Sequence, residues 1–131
     1  MERLKQRLSL TQKALDAFKQ ILTMTPNPIV RDAAIQRFEF TFEATWKLAQ
    51  LYLRENEGLE VNSPKSVFRH CFQVGLLPDE KQTAFMLKMV DDRNLTVHTY
   101  NEQLAEQIYS NLNNYYDLLY LLFNNIINNV R

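Results

Sequence analysis

Residues 29–55 read IVRDAAIQRFEFTFEATWKLAQLYLRE. Ile35, Phe38, Phe42, Trp46, Ala49 and Leu53 recur in steps of three and four, the spacing that stacks side chains on one face of an α-helix. Phe40, Ala44, Leu48 and Leu51 form a second stripe. A helix apolar over so much of its circumference cannot rest on a surface. The stretch therefore predicts a central helix, packed on both sides, and an all-α fold built around it.

Working outward, Leu4, Leu8, Thr11, Leu15, Phe18 and Leu22 give the same periodicity in a first helix, which Thr25-Pro26-Asn27-Pro28 breaks. Beyond the central helix, Glu57-Gly58 is a stop. Ser63-Pro64 then pairs an N-cap with a first helical residue, and the helix it opens carries Val67, Phe68, Cys71 and Phe72 as far as Gly75. A fourth helix starts at Pro78-Asp79-Glu80-Lys81-Gln82, with Asp79 as cap and Gln82 placed to reach back, and stops near Asp92. Thr99-Tyr100-Asn101-Glu102 fits the T-x-x-E capping box of a fifth. Its apolar positions, Leu104, Ile108, Leu112, Tyr115, Leu119, Leu122 and Ile126, predict about 28 helical residues.

No alternating β-type run and no internal repeat interrupts this pattern. The expected architecture is an antiparallel, up-and-down bundle of four to five helices forming one domain over residues 1–131. The run Leu118 to Phe123 is more apolar than one helix face needs, so part of it is expected to meet a second subunit. The Asn-rich stretch at Asn124, Asn125, Asn128 and Asn129 reads as a fraying end.

Composition narrows the function. With 15 basic and 15 acidic residues there is no global positive field of the kind that drives unspecific nucleic-acid binding, so any RNA contact has to be local or shared between subunits. The single Cys71 cannot make an intrachain disulfide, and no Cys/His cluster has metal-ligand spacing; a reducing cytoplasm fits, with no structural zinc. No stretch approaches the roughly 20 apolar residues that span a bilayer, so no membrane role is expected.

The chemistry concentrates in Arg93-Asn94-Leu95-Thr96-Val97-His98-Thr99-Tyr100, between the fourth and fifth helices. Arg93 offers a guanidinium fork to a phosphate, His98 an acid/base near neutral pH, and Tyr100 a phenol. If Thr99 caps the fifth helix, His98 sits beside unpaired N–H groups and the positive end of the macrodipole, a field that disfavours the imidazolium and attracts a phosphate. A structural reading stands beside this one: Arg93 capping the fourth helix, His98 bonding backbone, Tyr100 covering the end of the bundle.

Other candidates read as scaffold. His70 lies beside the apolar Cys71-Phe72 pair and reads as structural. Nothing near Cys71 would lower its thiol pKa. Glu39 and Glu43 share a helix face with Arg37 and Lys47 nearby, which describes an ion-paired stripe before it describes metal ligands. Trp46 reads as core or interface, and Tyr109, Tyr115, Tyr116 and Tyr120 recur at helical spacing in the same way.

Three segments in order, Arg37 to Lys47, Ser63 to Arg69 and Arg93 to Tyr100, resemble the HEPN superfamily, and within it the nucleotidyltransferase substrate-binding proteins that pair with a minimal nucleotidyltransferase. The resemblance implies a dimerising helical bundle in which the R-x4-6-H segments of two subunits face one another. It implies a homodimer or a dimer of dimers, cytoplasmic, with a nucleotidyltransferase as partner and RNA or a nucleotide as ligand. In that scheme Arg93 binds the scissile phosphate, Asn94 is the polar residue after the motif arginine, and His98 does acid/base work without a metal or cofactor. Many relatives are ribonuclease toxins, and the paired transferase acts as antitoxin by adding AMP to the motif tyrosine, which Tyr100 matches. The older family name implies the alternative, a non-catalytic subunit that presents a nucleotide or substrate to the transferase.

Overall fold

The computed structural model describes residues 2–130. Among them the chain forms six α-helices and one 3-10 turn, with no strand: α1 (Glu2–Leu22), α2 (Pro28–Glu57), α3 (Pro64–Gln73), α4 (Glu80–Leu95), the 3-10 turn Thr96–His98, α5 (Glu102–Ser110) and α6 (Leu112–Asn129). The all-α expectation holds, with one more helix than the sequence pattern predicts.

Local chemistry sets most of the boundaries. Asn27 caps α2 by accepting from the Val30 N–H at 2.9 Å, with Pro28 as first helical residue. Gly58, at φ 68°, turns the chain out of α2 in the left-handed region, so that the Leu59 N–H reaches the Leu53 carbonyl at 3.0 Å. Ser63 caps α3, and Asp79 caps α4 through the Gln82 N–H at 2.7 Å. Gln82 does not complete the box: its Oε1 is buried and finds no partner among the described residues.

α1 and α2 run antiparallel. Arg37 Nη1 donates to the Ala17 carbonyl at 2.7 Å, Thr41 Oγ1 to Ala14 at 3.1 Å and Thr11 Oγ1 to Ala44 at 3.3 Å. Partner numbers fall on one helix as they rise on the other. Thr11, Thr41 and Thr45 are buried; each also bonds a carbonyl of its own preceding turn, so a small polar side chain is satisfied where the helices pack closely.

α2 is central, as its two stripes predict: it touches α1, α3, α4, α5 and α6. Ile35, Phe38, Phe42, Leu48, Ala49, Leu51 and Leu53 are buried, Trp46 is half-buried, and Phe40 faces outward. An aromatic series links the bundle. Phe38 stacks on Tyr115 with ring centres 5.5 Å apart, Phe18 and Phe42 each lie 6.1 Å from Phe38, and Phe42 meets Phe68 edge-on at 5.9 Å. Rings from α1, α2, α3 and α6 thus share one core, and such pairs add about 0.5–1.5 kcal/mol each beyond area burial.

Two expectations for the second half of the chain need correction, the undivided fifth helix and the fraying end. The predicted fifth helix is divided at Asn111, because Ser110 Oγ and Asn111 Nδ2 both donate to the Gln107 carbonyl, at 2.7 and 3.2 Å, and compete with the regular ladder. Within Leu118 to Phe123, Leu118, Leu119, Leu122 and Phe123 are buried in the chain's own core, Leu121 is half-buried, and Tyr120 is the exposed residue of the run. The Asn-rich end does not fray within the described residues: α6 continues to Asn129, and Asn125 Nδ2 holds the Leu76 carbonyl at 2.8 Å.

Candidate functional site

Arg93 and Asn94 lie on the last turn of α4, not in a loop. That turn is anchored from below by Tyr115, whose hydroxyl donates to the Asp92 carboxylate from a fully buried ring. Burial and the neighbouring carboxylate push the Tyr115 phenol well above its usual range. The proton in this bond therefore stays on the tyrosine.

The helix then tightens instead of ending. Thr96, buried, donates its hydroxyl to the Arg93 carbonyl at 2.7 Å, and Thr99 donates to the Thr96 carbonyl at 3.0 Å, which winds residues 96–98 into a 3-10 turn. This corrects the proposed capping box. The Thr99 hydroxyl is spent on the turn behind it, and Asn101 caps α5 instead, accepting from the Leu104 N–H at 3.1 Å. His98 therefore does not stand next to the cap of α5: Thr99 and Tyr100 lie between it and Asn101.

His98 and Tyr100 come together. His98 Nδ1 is 3.3 Å from the Tyr100 hydroxyl, with the rings edge-to-face at 5.8 Å. Both are exposed, Tyr100 at 83%. Arg93 is held apart from them, with no bond to either. Its side chain is 26% exposed, with Nη1 3.9 Å from Glu39 Oε2 and 3.5 Å from Thr96 Oγ1, while Nε is buried without an acceptor among the described residues. Asn94 is exposed and makes no side-chain hydrogen bond among the described residues.

Glu39 is the site residue that sequence reasoning leaves in the scaffold. It belongs to the ion-paired stripe expected for α2, and Glu43 behaves as expected there, bridging Lys47 at 3.3 Å and accepting from the Trp46 indole at 3.0 Å. Glu39 instead reaches across to Arg93. Its presence beside the motif arginine could have been suspected only from its place in the Arg37 to Lys47 segment, since periodicity gives no contact between distant helices.

The remaining candidates keep structural roles. His70 Nδ1 lies 2.9 Å from the Ser66 carbonyl, one turn back on α3. Cys71 is buried, and desolvation pushes its thiol up to about 12, which leaves no thiolate for nucleophilic work. Among the described residues no group of three or more His, Cys, Asp or Glu is placed to hold a metal ion. No helix among them is long and apolar enough to cross a membrane.

Comparison with known proteins gives consistent matches. Residues 6–126 match the family described as nucleotidyltransferase substrate binding protein like. A crystal structure of a protein from Thermus thermophilus superposes with a TM-score of 0.85 at 50% identity, covering 88% of this chain and 98% of that one. A Haemophilus influenzae structure, described as the fold of a substrate binding domain of a nucleotidyltransferase, superposes with a TM-score of 0.76 at 21% identity, covering 92% and 98%. At that identity the likeness concerns the fold. Over 87 residues the chain is 29% identical to the probable ribonuclease HepT of Haemophilus influenzae, a match to 63% of this chain and 57% of that relative. The chain thus spans little more than half the length of that relative.

Proposed function

The chain belongs to the nucleotidyltransferase substrate-binding-protein-like family, and from that premise we propose that it is a metal-independent ribonuclease of toxin type, paired with a nucleotidyltransferase that silences it by adding AMP to Tyr100. The observation that carries the reading is the exposed His98–Tyr100 pair at 3.3 Å, one turn beyond an arginine that keeps an unsatisfied donor. The likeness to a probable ribonuclease supports the same class of activity.

In cleavage, Arg93 holds the scissile phosphate, and His98 takes the proton of the ribose 2′-hydroxyl as its oxygen bonds to phosphorus. The bond to the 5′-oxygen breaks, and that oxygen is protonated by the His98 of a second copy. The need for two histidines asks for a dimer. Exposed apolar side chains at the site, Leu95 and Val97 (67% exposed), support a covering second copy.

In silencing, the Tyr100 oxygen bonds to the α-phosphorus of ATP in the transferase's site, pyrophosphate leaves, and His98 Nδ1 is positioned to accept the phenolic proton. The adduct places negative charge beside Arg93 and bulk over His98. The test is RNA cleavage in EDTA by the parent, Arg93→Ala and His98→Ala. A lost acid/base group lowers the rate about 10²–10⁴-fold. If His98→Ala cleaves as fast as the parent, the ribonuclease reading fails.

One observation favours a second reading, a non-catalytic subunit that presents a nucleotide to the transferase: Glu39 lies 3.9 Å from Arg93 and offsets part of its charge. Such a subunit tolerates His98→Ala while Arg93 remains, and its effect is seen only with the transferase present.

A further inference from the structure

We propose that the cleft between the start of α1 and the end of α2 is a second phosphate site, which anchors the backbone of the RNA strand about 20 Å from Arg93 by the helical rise along α2. The proposal rests on the ribonuclease reading for its ligand, but the cleft is defined by its own residues. Arg3, Arg7, Lys47 and Arg54 line it, with Gln50 and Asn62, and Glu60 is its one carboxylate among the described residues. In a chain of zero formal net charge, four cations at one cleft are a local concentration and not the overflow of a basic protein. Lys47 is bridged by Glu43, whereas Arg3, Arg7 and Arg54 have no ion pair among the described residues.

The cleft is built in advance. Leu51 and Val61 are buried beneath it, and Gln50 Nε2 donates to the Val61 carbonyl at 2.7 Å, tying the segment after α2 to the helix. Its volume of about 150 Å³ is below the range of pockets that enclose a whole small-molecule ligand. No aromatic side chain among the described residues lines it, so it offers no platform for a base. A charged group on a larger molecule fits these features, and a free nucleotide does not.

Position links it to the site. Glu39, Glu43, Lys47, Gln50 and Arg54 follow one another at four, four, three and four residues, so they share a face of α2. That face begins at the Glu39–Arg93 contact and ends in the cleft, about 22 Å further along at 1.5 Å per residue. The two acids on the way are each met by a cation, Glu39 by Arg93 and Glu43 by Lys47. A strand lying on this face meets Arg93 at one end and the three unpaired arginines at the other.

The test measures binding of single-stranded RNA of about 12 nucleotides against salt concentration, in a His98→Ala background so that the strand stays intact. Each lost phosphate contact lowers the slope of log K against log salt by about 0.7, so Arg3→Gln with Arg54→Gln is expected to lower it by about 1.4. Arg54→Lys keeps the charge and should keep the slope. Should the double variant misfold, Arg54→Gln alone, exposed at the end of α2, carries the test with about 0.7. A dinucleotide too short to reach the cleft should bind parent and variants equally. An unchanged slope in correctly folded variants overturns the proposal, as does a parent that does not bind RNA. ATP or inorganic phosphate losing as much affinity as the long RNA would make the cleft a general anion site and overturn its assignment to a strand. Loss of the ribonuclease reading is recognised separately, by full cleavage activity in His98→Ala.

Discussion

Tyr115 and Tyr100 are the same side chain in two regions of one molecule. Tyr115 is fully buried among Phe38 and Phe85, its hydroxyl fixed on Asp92 and its proton held by burial. Tyr100 is 83% exposed and shares its hydroxyl with the imidazole of His98. The first phenol is a strut joining α6 to the last turn of α4. The second stands free on the segment that this strut supports, so the core supplies the rigidity and the connection from α4 to α5 supplies the chemistry.

The comparison breaks most severely at Phe38, where the ring series meets. Phe38→Ala removes a fully buried ring from contact with Phe18, Phe42 and Tyr115, and chemical denaturation should show a loss of about 3–5 kcal/mol. Tyr115→Phe tests the strut itself. It keeps the ring but leaves the part-buried Asp92 carboxylate without its donor, and should lower stability by about 1–3 kcal/mol.

Alkali should weaken the core. Burial raises the Cys71 thiol from 9.0 to about 12 and the Tyr115 phenol above 10.0. Both contribute stability that is complete below their unfolded pKa values and is lost as pH rises through the folded ones, because only the unfolded chain ionises in between. From about pH 9 the slope should approach −1.4 kcal/mol per pH unit for Cys71, steepening above about pH 10 as Tyr115 joins it. Cys71→Ala should remove the first part of that slope. The smallest effect belongs to the exposed phenol: Tyr100→Phe should change stability by no more than about 0.5 kcal/mol, the usual range for a surface substitution.

The helices that are legible in the sequence are those whose boundaries are written locally. Ser63-Pro64, Asp79 and Gly58 each act within a few residues of themselves, and the double stripe of α2 carries its central position. The start of α5 is misread from sequence because Thr99 and Asn101 are both good caps by type, and the choice between them depends on where the Thr99 hydroxyl turns. The break at Asn111 is hidden because Ile108, Leu112 and Tyr115 keep helical spacing straight through it. At the site, the residue types of Arg93, His98 and Tyr100 are plain. The Glu39 contact is not, since it joins two residues 54 positions apart in the chain, on different helices.

The central claim is that His98 and Tyr100 form one centre, in which modification of the phenol stops the chemistry of the imidazole. The most direct measurement takes a single sample of this protein with its cognate nucleotidyltransferase, ATP and Mg²⁺, and follows intact mass and RNA cleavage together, with cleavage assayed in EDTA after the transferase is removed. The account predicts that mass rises by whole AMP units mapped to Tyr100, that cleavage falls in proportion to the modified fraction, and that Tyr100→Phe cleaves RNA yet gains no mass. Cleavage that persists in fully modified protein, or AMP appearing on the Tyr100→Phe variant, would contradict it.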